Sequence, residues 1–424
     1  MSFKIPFSPP RIDQKIIDEV VKTLKSGWIT TGPKTTSFEK KLTGYTGAKA
    51  TLCVGSATAG LEIMLRWFGV CEGDEVILPA YTYAATANVI IHCGAKPVFV
   101  DCGNDFNINA DTIRKAITGR TKVIIPVDFG GWPCQYDKIN GLVREEEIVT
   151  LFNPGSEIQR QLGRILILSD AAHSIGATCN GKKTGSLTDA SVFSFHAVKN
   201  ITTSEGGAIS LNLPMPFDNG DIYKSLAVTI NHGQDKNASE RATRGGWKYD
   251  IIEAGYKFNM TDMAASIGLV ELERYERDTL TRRKEIVNTY NKLLLKYEWA
   301  ILPTFKDNER ESSYHLYPLR IKNITEAQRD SIIKKVALKG ISLNVHFIPV
   351  PMMTYYKGLK YKITDYPRAY QNYKAEISLP VFYDLTLFQI KAVVLALAEA
   401  VKNLNATCPK RQLDAPDQSA AAIA

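Results

Sequence analysis

The chain has 424 residues and seven cysteines, but no Cys-x-x-Cys pair. An odd number without metal-ligand spacing excludes a disulfide framework and a structural zinc site as its organising principle. Cys53, Cys71, Cys93, Cys102, Cys134, Cys179 and Cys408 read instead as reduced, mostly buried thiols of a cytoplasmic protein. No run of ~18 uncharged apolar residues occurs, so no membrane span is expected. The segment Met1–Pro6 lacks the apolar centre of a secretory signal. Charge of one sign is scarce as well. The 52 Lys and Arg stand against 44 Asp and Glu, a net +8 scattered along the chain. That balance forms no nucleic-acid stripe and suits a weakly anionic small ligand.

What is present is ordinary globular composition, 45% hydrophobic and 23% charged. At roughly 150 residues per domain the length predicts two or three domains. Ile12, Ile16, Ile17, Val20, Val21 and Leu24 recur at helical spacing, and Gly27 stops that helix. Short apolar runs then alternate with amphipathic stretches. The runs are 51–54, 76–79, 97–100, 123–127, 165–168, 191–195 and 208–211. This predicts an α/β fold, with a mostly parallel sheet covered on both faces. Ligands on such sheets sit at the carboxyl ends of the strands.

From Leu213 to Gly246 the chain is polar and irregular. A long helix is expected over 261–295, with its charged 271–278 segment on a solvated face. A strand at 314–321, a helix at 326–339, a strand at 341–347 and a helix at 387–404 complete a smaller α+β domain. The boundaries are 1–255 for the large domain, 256–404 for the smaller C-terminal one, and 405–424 for a disordered tail.

Three segments carry chemistry. Gly55–Gly60 (Gly-Ser-Ala-Thr-Ala-Gly) follows a strand and opens a helix. Small residues and free N–H groups there suit a phosphate, although many helices begin this way. Asp170 ends a strand, as a helix N-cap or as the partner of a cationic ring nitrogen. Lys199 follows another strand, as a snorkelling surface lysine or as a desolvated amine with a depressed pKa. In this order on one sheet, the three supply what pyridoxal 5′-phosphate (PLP) needs. That is a phosphate cradle, a carboxylate for the pyridine nitrogen and an amine for the aldehyde.

With Ser26–Lys34, Pro79–Tyr83, Asp170–His173, Phe193–Gly207 and Gly255–Asp262, the chain resembles the DegT/DnrJ/EryC1/StrS aminotransferases. It resembles in particular those of the UDP-4-amino-4-deoxy-L-arabinose type. The resemblance implies the aspartate aminotransferase-like type I fold of PLP enzymes. It also implies amino transfer from glutamate to C4 of a nucleotide-linked, UDP-type 4-keto sugar, for surface polysaccharide or lipopolysaccharide synthesis. Lys199 would hold the cofactor aldehyde and move protons, and Asp170 would pair with the ring nitrogen. His173 would lie near the ring and Tyr83 would stack on it. Ala57, Thr58 and Ser194 would bind the phosphate. Lys257 would reach that phosphate from the second subunit of a homodimer with shared active sites. Trp28, Thr30, Thr31, Tyr314 and His315 would line the substrate cleft.

Some relatives carry His at the lysine position and act as dehydratases; Lys199 favours transamination. The alternatives are C3 amination of a dTDP- or GDP-linked keto-deoxy sugar and a non-enzymatic PLP-binding regulator. Residues 144–164 form an insertion, expected as a surface loop. His92, His232 and His346 receive no role, and Tyr355 and Tyr356 are expected to pack in the small domain.

Overall fold

The computed structural model describes residues 4–236 and 247–407. Residues 408–424 of the expected tail lie outside them. Seven strands form the central sheet. Across it they run Ala50–Val54, Gly207–Leu211, Ala190–Ser194, Leu166–Asp170, Thr121–Ile124, Glu75–Pro79 and Lys96–Val100. All neighbours are parallel except Gly207–Leu211, which is antiparallel to both strands it pairs with. The strands at 75–79, 166–170, 190–194 and 207–211 are buried throughout. That explains their near-continuous apolar sequence.

The helix Ala57–Trp67 packs on this sheet through Gly60. A Cβ there would stand 2.8 Å from Val192 Cγ1 and 3.2 Å from Ile209 Cγ1. The first turn of the helix is therefore pressed against the middle of the strands at 190–194 and 207–211.

A second core gathers residues from Ile286 onward, together with Ile5. It lies over the strands Ala300–Ile301, Tyr317–Ile321 and Glu376–Leu379 and the helices Glu326–Ala337 and Leu387–Thr407. The helix Asp262–Arg274 belongs elsewhere. Its Ala265, Leu269 and Leu272 join Phe38 and Phe195 of the large unit. We therefore propose the π-helical turn Tyr275–Leu280, not residue 255, as the boundary between the two units.

Several expectations are corrected. The 271–278 segment is only partly a solvated face: Glu273, Glu276 and Arg277 are exposed, but Glu271 and Tyr275 are buried, and Arg274 pairs with Asp13 and Glu271. Residues 144–164 form two short helices, Glu146–Leu151 and Glu157–Leu162. They are anchored by the buried Gln159, whose amide donates to Phe68 O, and by a buried Arg164–Asp189 pair. A helix, Asn219–Thr229, interrupts the stretch read as irregular. Residues 341–347 form no strand and make only single bridges, from Ile341 to Ile5 and from Asn344 to Ser378. Tyr356 packs against Phe99 in the large core, and Tyr355 is exposed. The six described cysteines are free, and Cys71 is the exposed one. No helix among the described residues is long and apolar enough to cross a membrane.

Candidate active site

Where the strands 166–170 and 190–194 end, a cavity of about 410 Å³ opens between the two units. Eight of the residues named from sequence line it: Ala57, Thr58, Tyr83, Asp170, His173, Ser194, Lys199 and His315. Parallel neighbouring strands bring Asp170 and Ser194 to one edge of the sheet, and the Lys199 turn follows directly.

Ser56 caps the helix Ala57–Trp67, accepting from Ala59 N. Ala57 and Thr58 stand in its first turn, where N–H groups have no carbonyl a turn earlier to bind. They face the cavity with the positive end of the helix dipole. Gly207 makes this approach possible. A Cβ on it would lie 2.6 Å from Ala57 N and 2.7 Å from Phe193 O.

Asp170 is 7% exposed. One carboxylate oxygen accepts from Thr86 Oγ1 at 2.8 Å and the other from Ala172 N at 3.2 Å. No helix follows it, which removes the N-cap reading. Burial pushes its pKa up, against the two hydrogen bonds and the charge of Lys199. A carboxylate in that position is stabilised by a cation placed in the cavity. Lys199 is half-buried rather than snorkelling, and desolvation lowers its pKa to about 8, opposed by Asp170. An appreciable fraction is then a free, nucleophilic amine near neutral pH.

The rings of His173 and His315 lie against each other, centroids 4.4 Å apart and planes tilted by 42°. His173 Nδ1 accepts the Gly130 N–H, so its proton sits on Nε2. Burial first, and then the charge of Lys199, hold His173 neutral; burial does the same for His315. His315 Nδ1 bonds Asn200 Oδ1, and Asn200 also donates to Ser313 O. Tyr83 is 61% exposed at the mouth, its ring 5.8 Å from Phe347.

The remaining residues lie elsewhere in this chain. Thr30, Thr31 and Lys257 line a separate cavity of about 550 Å³, with Asn231 and Asn259. The Trp28 ring covers Gly32 and donates to Thr31 O. Tyr314 is buried in the second core, stacked on Phe305 and donating to Glu311.

Sequence reasoning missed Thr86, His346 and Phe347. Thr86 had a local signal, three residues after Tyr83 on the first turn of a helix, Ala84–His92. His346 and Phe347 had none, because they come from the other unit, far along the chain.

The donor set fits PLP on three counts: a cradle that a Cβ would fill, a buried carboxylate that favours a cation, and an amine of lowered pKa. Among the described residues no cluster of His, Cys, Asp and Glu could hold a metal ion. The DegT/DnrJ/EryC1/StrS aminotransferase family model matches residues 10–153 and 156–398. The spore coat polysaccharide biosynthesis protein SpsC of Bacillus subtilis is 36% identical over 405 residues, covering 94% of this chain and 97% of the relative. A putative sugar aminotransferase, Spr1654 of Streptococcus pneumoniae, superposes with a TM-score of 0.91 at 43% identity in its PMP form. That match covers 95% of this chain and all of the other, and a PLP form of the same protein matches at 0.90. Helicobacter pylori PseC, an aminotransferase involved in the biosynthesis of pseudoaminic acid, superposes at 0.83 with 27% identity, over 95% of this chain and 100% of its own. With Lys199, Asp170 and the helix start at Ala57 lining one cavity, the chain is a PLP-dependent aminotransferase belonging to the DegT/DnrJ/EryC1/StrS family.

Proposed function

We propose that the protein transfers an amino group from glutamate to C4 of a nucleotide-linked 4-keto sugar, with UDP as the nucleotide. The reading rests above all on Lys199 facing Asp170 across a cavity walled by a helix N-terminus. The names of the relatives, which concern polysaccharide, sugar and pseudoaminic acid chemistry, support a sugar acceptor. Bound PLP supplies an electrophilic aldehyde and an electron-accepting ring. The first turn at Ala57 and Thr58, with Ser194, binds its phosphate, and Asp170 keeps its ring nitrogen protonated. Lys199, neutral in an appreciable fraction, takes and returns the proton at the reacting carbon. Tyr83 orients the ring at the mouth of the cavity.

The working form in this reading is a cytoplasmic homodimer with shared sites, serving surface polysaccharide or lipopolysaccharide synthesis. Ile17, Val21 and Leu24 lie along one face of the helix Gln14–Lys25 and are exposed in the single chain. A second copy would cover them. Lys257, Thr30 and Thr31 would then complete the partner's site. The test is a panel of UDP-, GDP- and dTDP-linked keto sugars with glutamate, the product's amino position read by NMR. A C4 amine on a UDP sugar is expected. A C3 amine, or no turnover of any keto sugar, overturns the reading. Lys199→Ala should abolish both the visible cofactor absorbance and transfer.

A further inference from the structure

Behind one wall of the lysine cavity a chain of hydrogen bonds runs into the protein. His346 lines the cavity. Its Nδ1 lies 2.9 Å from Ser378 Oγ, and Ser378 Oγ lies 2.5 Å from Glu376 Oε1. The other oxygen of Glu376 accepts the His346 N–H at 3.0 Å, and the Tyr81 hydroxyl donates to His346 O at 2.6 Å. Glu376 and Ser378 are two apart on the strand Glu376–Leu379, so they share a face. Glu376 is 0% exposed. The two arginines that act on its charge are committed elsewhere, Arg329 to Asp330 and Arg320 to Asn372. A carboxyl group buried without its own counter-ion is costly to keep for packing alone. Here every hydrogen bond from it leads towards the cavity.

We propose that Glu376, acting through Ser378 and His346, is a proton store for the active site. With Glu376 ionised, Ser378 donates to it, His346 donates to Ser378 from Nδ1, and Nε2 is bare. A proton arriving at Nε2 moves the Nδ1 proton to Ser378 and the Ser378 proton to Glu376. The outcome is Glu376 protonated, Ser378 donating to Nδ1, and Nε2–H facing the reaction. One proton has crossed, and the imidazole carries no charge at either end. The reverse passage returns it. Amino exchange on a carbonyl needs such a store, because the leaving hydroxyl takes a proton and the entering amine gives one up. The inference rests on amino transfer in this cavity, not on the identity of the sugar.

The surroundings agree. Burial raises Glu376 to about 8, while Ser378, His346 N–H, Arg329 and Arg320 oppose the rise. Tyr81 faces the same carboxyl from the strand-end side. Burial and Lys199 lower His346 to about 3, so it works between two neutral tautomers. His173 and His315, its titratable neighbours across the cavity, are neutral for the same reason.

The test uses holoenzyme labelled with 15N-histidine. There are six histidines, and the loss of one signal in His346→Gln assigns His346. As pH falls through about 8, the His346 nitrogens of the wild type should pass from the bare-Nε2 to the Nε2–H pattern. Glu376→Gln, which cannot titrate, should stay in one pattern. Its glutamate turnover should lose the limb near that pH and fall on the order of 100-fold in kcat, with KM within about twofold. Ser378→Ala breaks the chain without touching Glu376 and should give the same loss, which decides the matter if Glu376→Gln does not fold. Wild-type His346 signals that do not change with pH, or that change identically in Ser378→Ala, overturn the proposal. The nitrogen spectra decide even if another amino donor replaces glutamate.

Discussion

Gly207→Ala tests the cradle directly. The added Cβ would meet three backbone atoms: Ala57 N at 2.6 Å, Phe193 O at 2.7 Å and Ser56 C at 2.7 Å. Ordinary contact begins at 3.4 Å, so the first turn of the helix Ala57–Trp67 must retreat by roughly 0.8 Å. Backbone atoms cannot swing aside as a side chain would. The glycine's φ is not in the positive region, so the effect is one of space and not of strain. Overpacking of this kind costs about 1–3 kcal/mol. Because the turn that moves is the one we propose binds the phosphate, most of that cost should appear in cofactor affinity. The PLP dissociation constant is expected to rise on the order of 10- to 100-fold, while the apoprotein melts only a few degrees lower. Fluorescence titration of apoprotein with PLP measures the first, and calorimetry the second. A variant that folds normally and binds PLP as the wild type does would refute the reasoning.

Four further outcomes follow from the structure. Lys199 reacts as the neutral amine, so the rate at which apoprotein captures PLP should rise with pH through about 8. Asp170 holds the Lys199 pKa up, so Asp170→Asn should move that midpoint to lower pH and cut kcat about 10²–10³-fold; a midpoint that rises would sink the assignment. Glu39 is raised to about 7 by burial, so the folded state binds its proton more tightly than the unfolded one does. Its contribution is full below the ordinary carboxyl range and is lost as pH rises to about 7. Glu39→Gln should therefore flatten the fall in melting temperature between pH 5 and pH 8, and an unchanged slope would contradict it. Arg164→Met leaves Asp189 buried without its partner and should cost about 3–5 kcal/mol in urea unfolding. The double variant with Asp189→Leu should recover most of that loss.

The strands were legible because each runs through a sheet covered on both faces, where apolar residues are continuous. The three chemical segments were legible because parallel strands place their ends together, so residues that follow successive strands become neighbours. The 271–278 segment misled in part because charge suggests solvent: Glu273, Glu276 and Arg277 do face it, whereas Glu271 and Arg274 pair inside the protein. The 341–347 run has strand-like composition, but its residues are held by isolated bridges, by the His346 N–H donating to Glu376 and by the His346 ring bonding Ser378.

By itself the sequence determined the succession of central strands and pointed to Lys199, Asp170 and the helix start at Ala57 as the cofactor candidates. These depend on local pattern and on the topology of a parallel sheet. Only the tertiary structure decided that Thr86 steadies Asp170, that His346 walls the cavity and that a buried glutamate stands behind it. Those contacts join residues far apart in the chain and from both units, and nothing in the spacing of residues along a chain records which distant side chain will fill a given place.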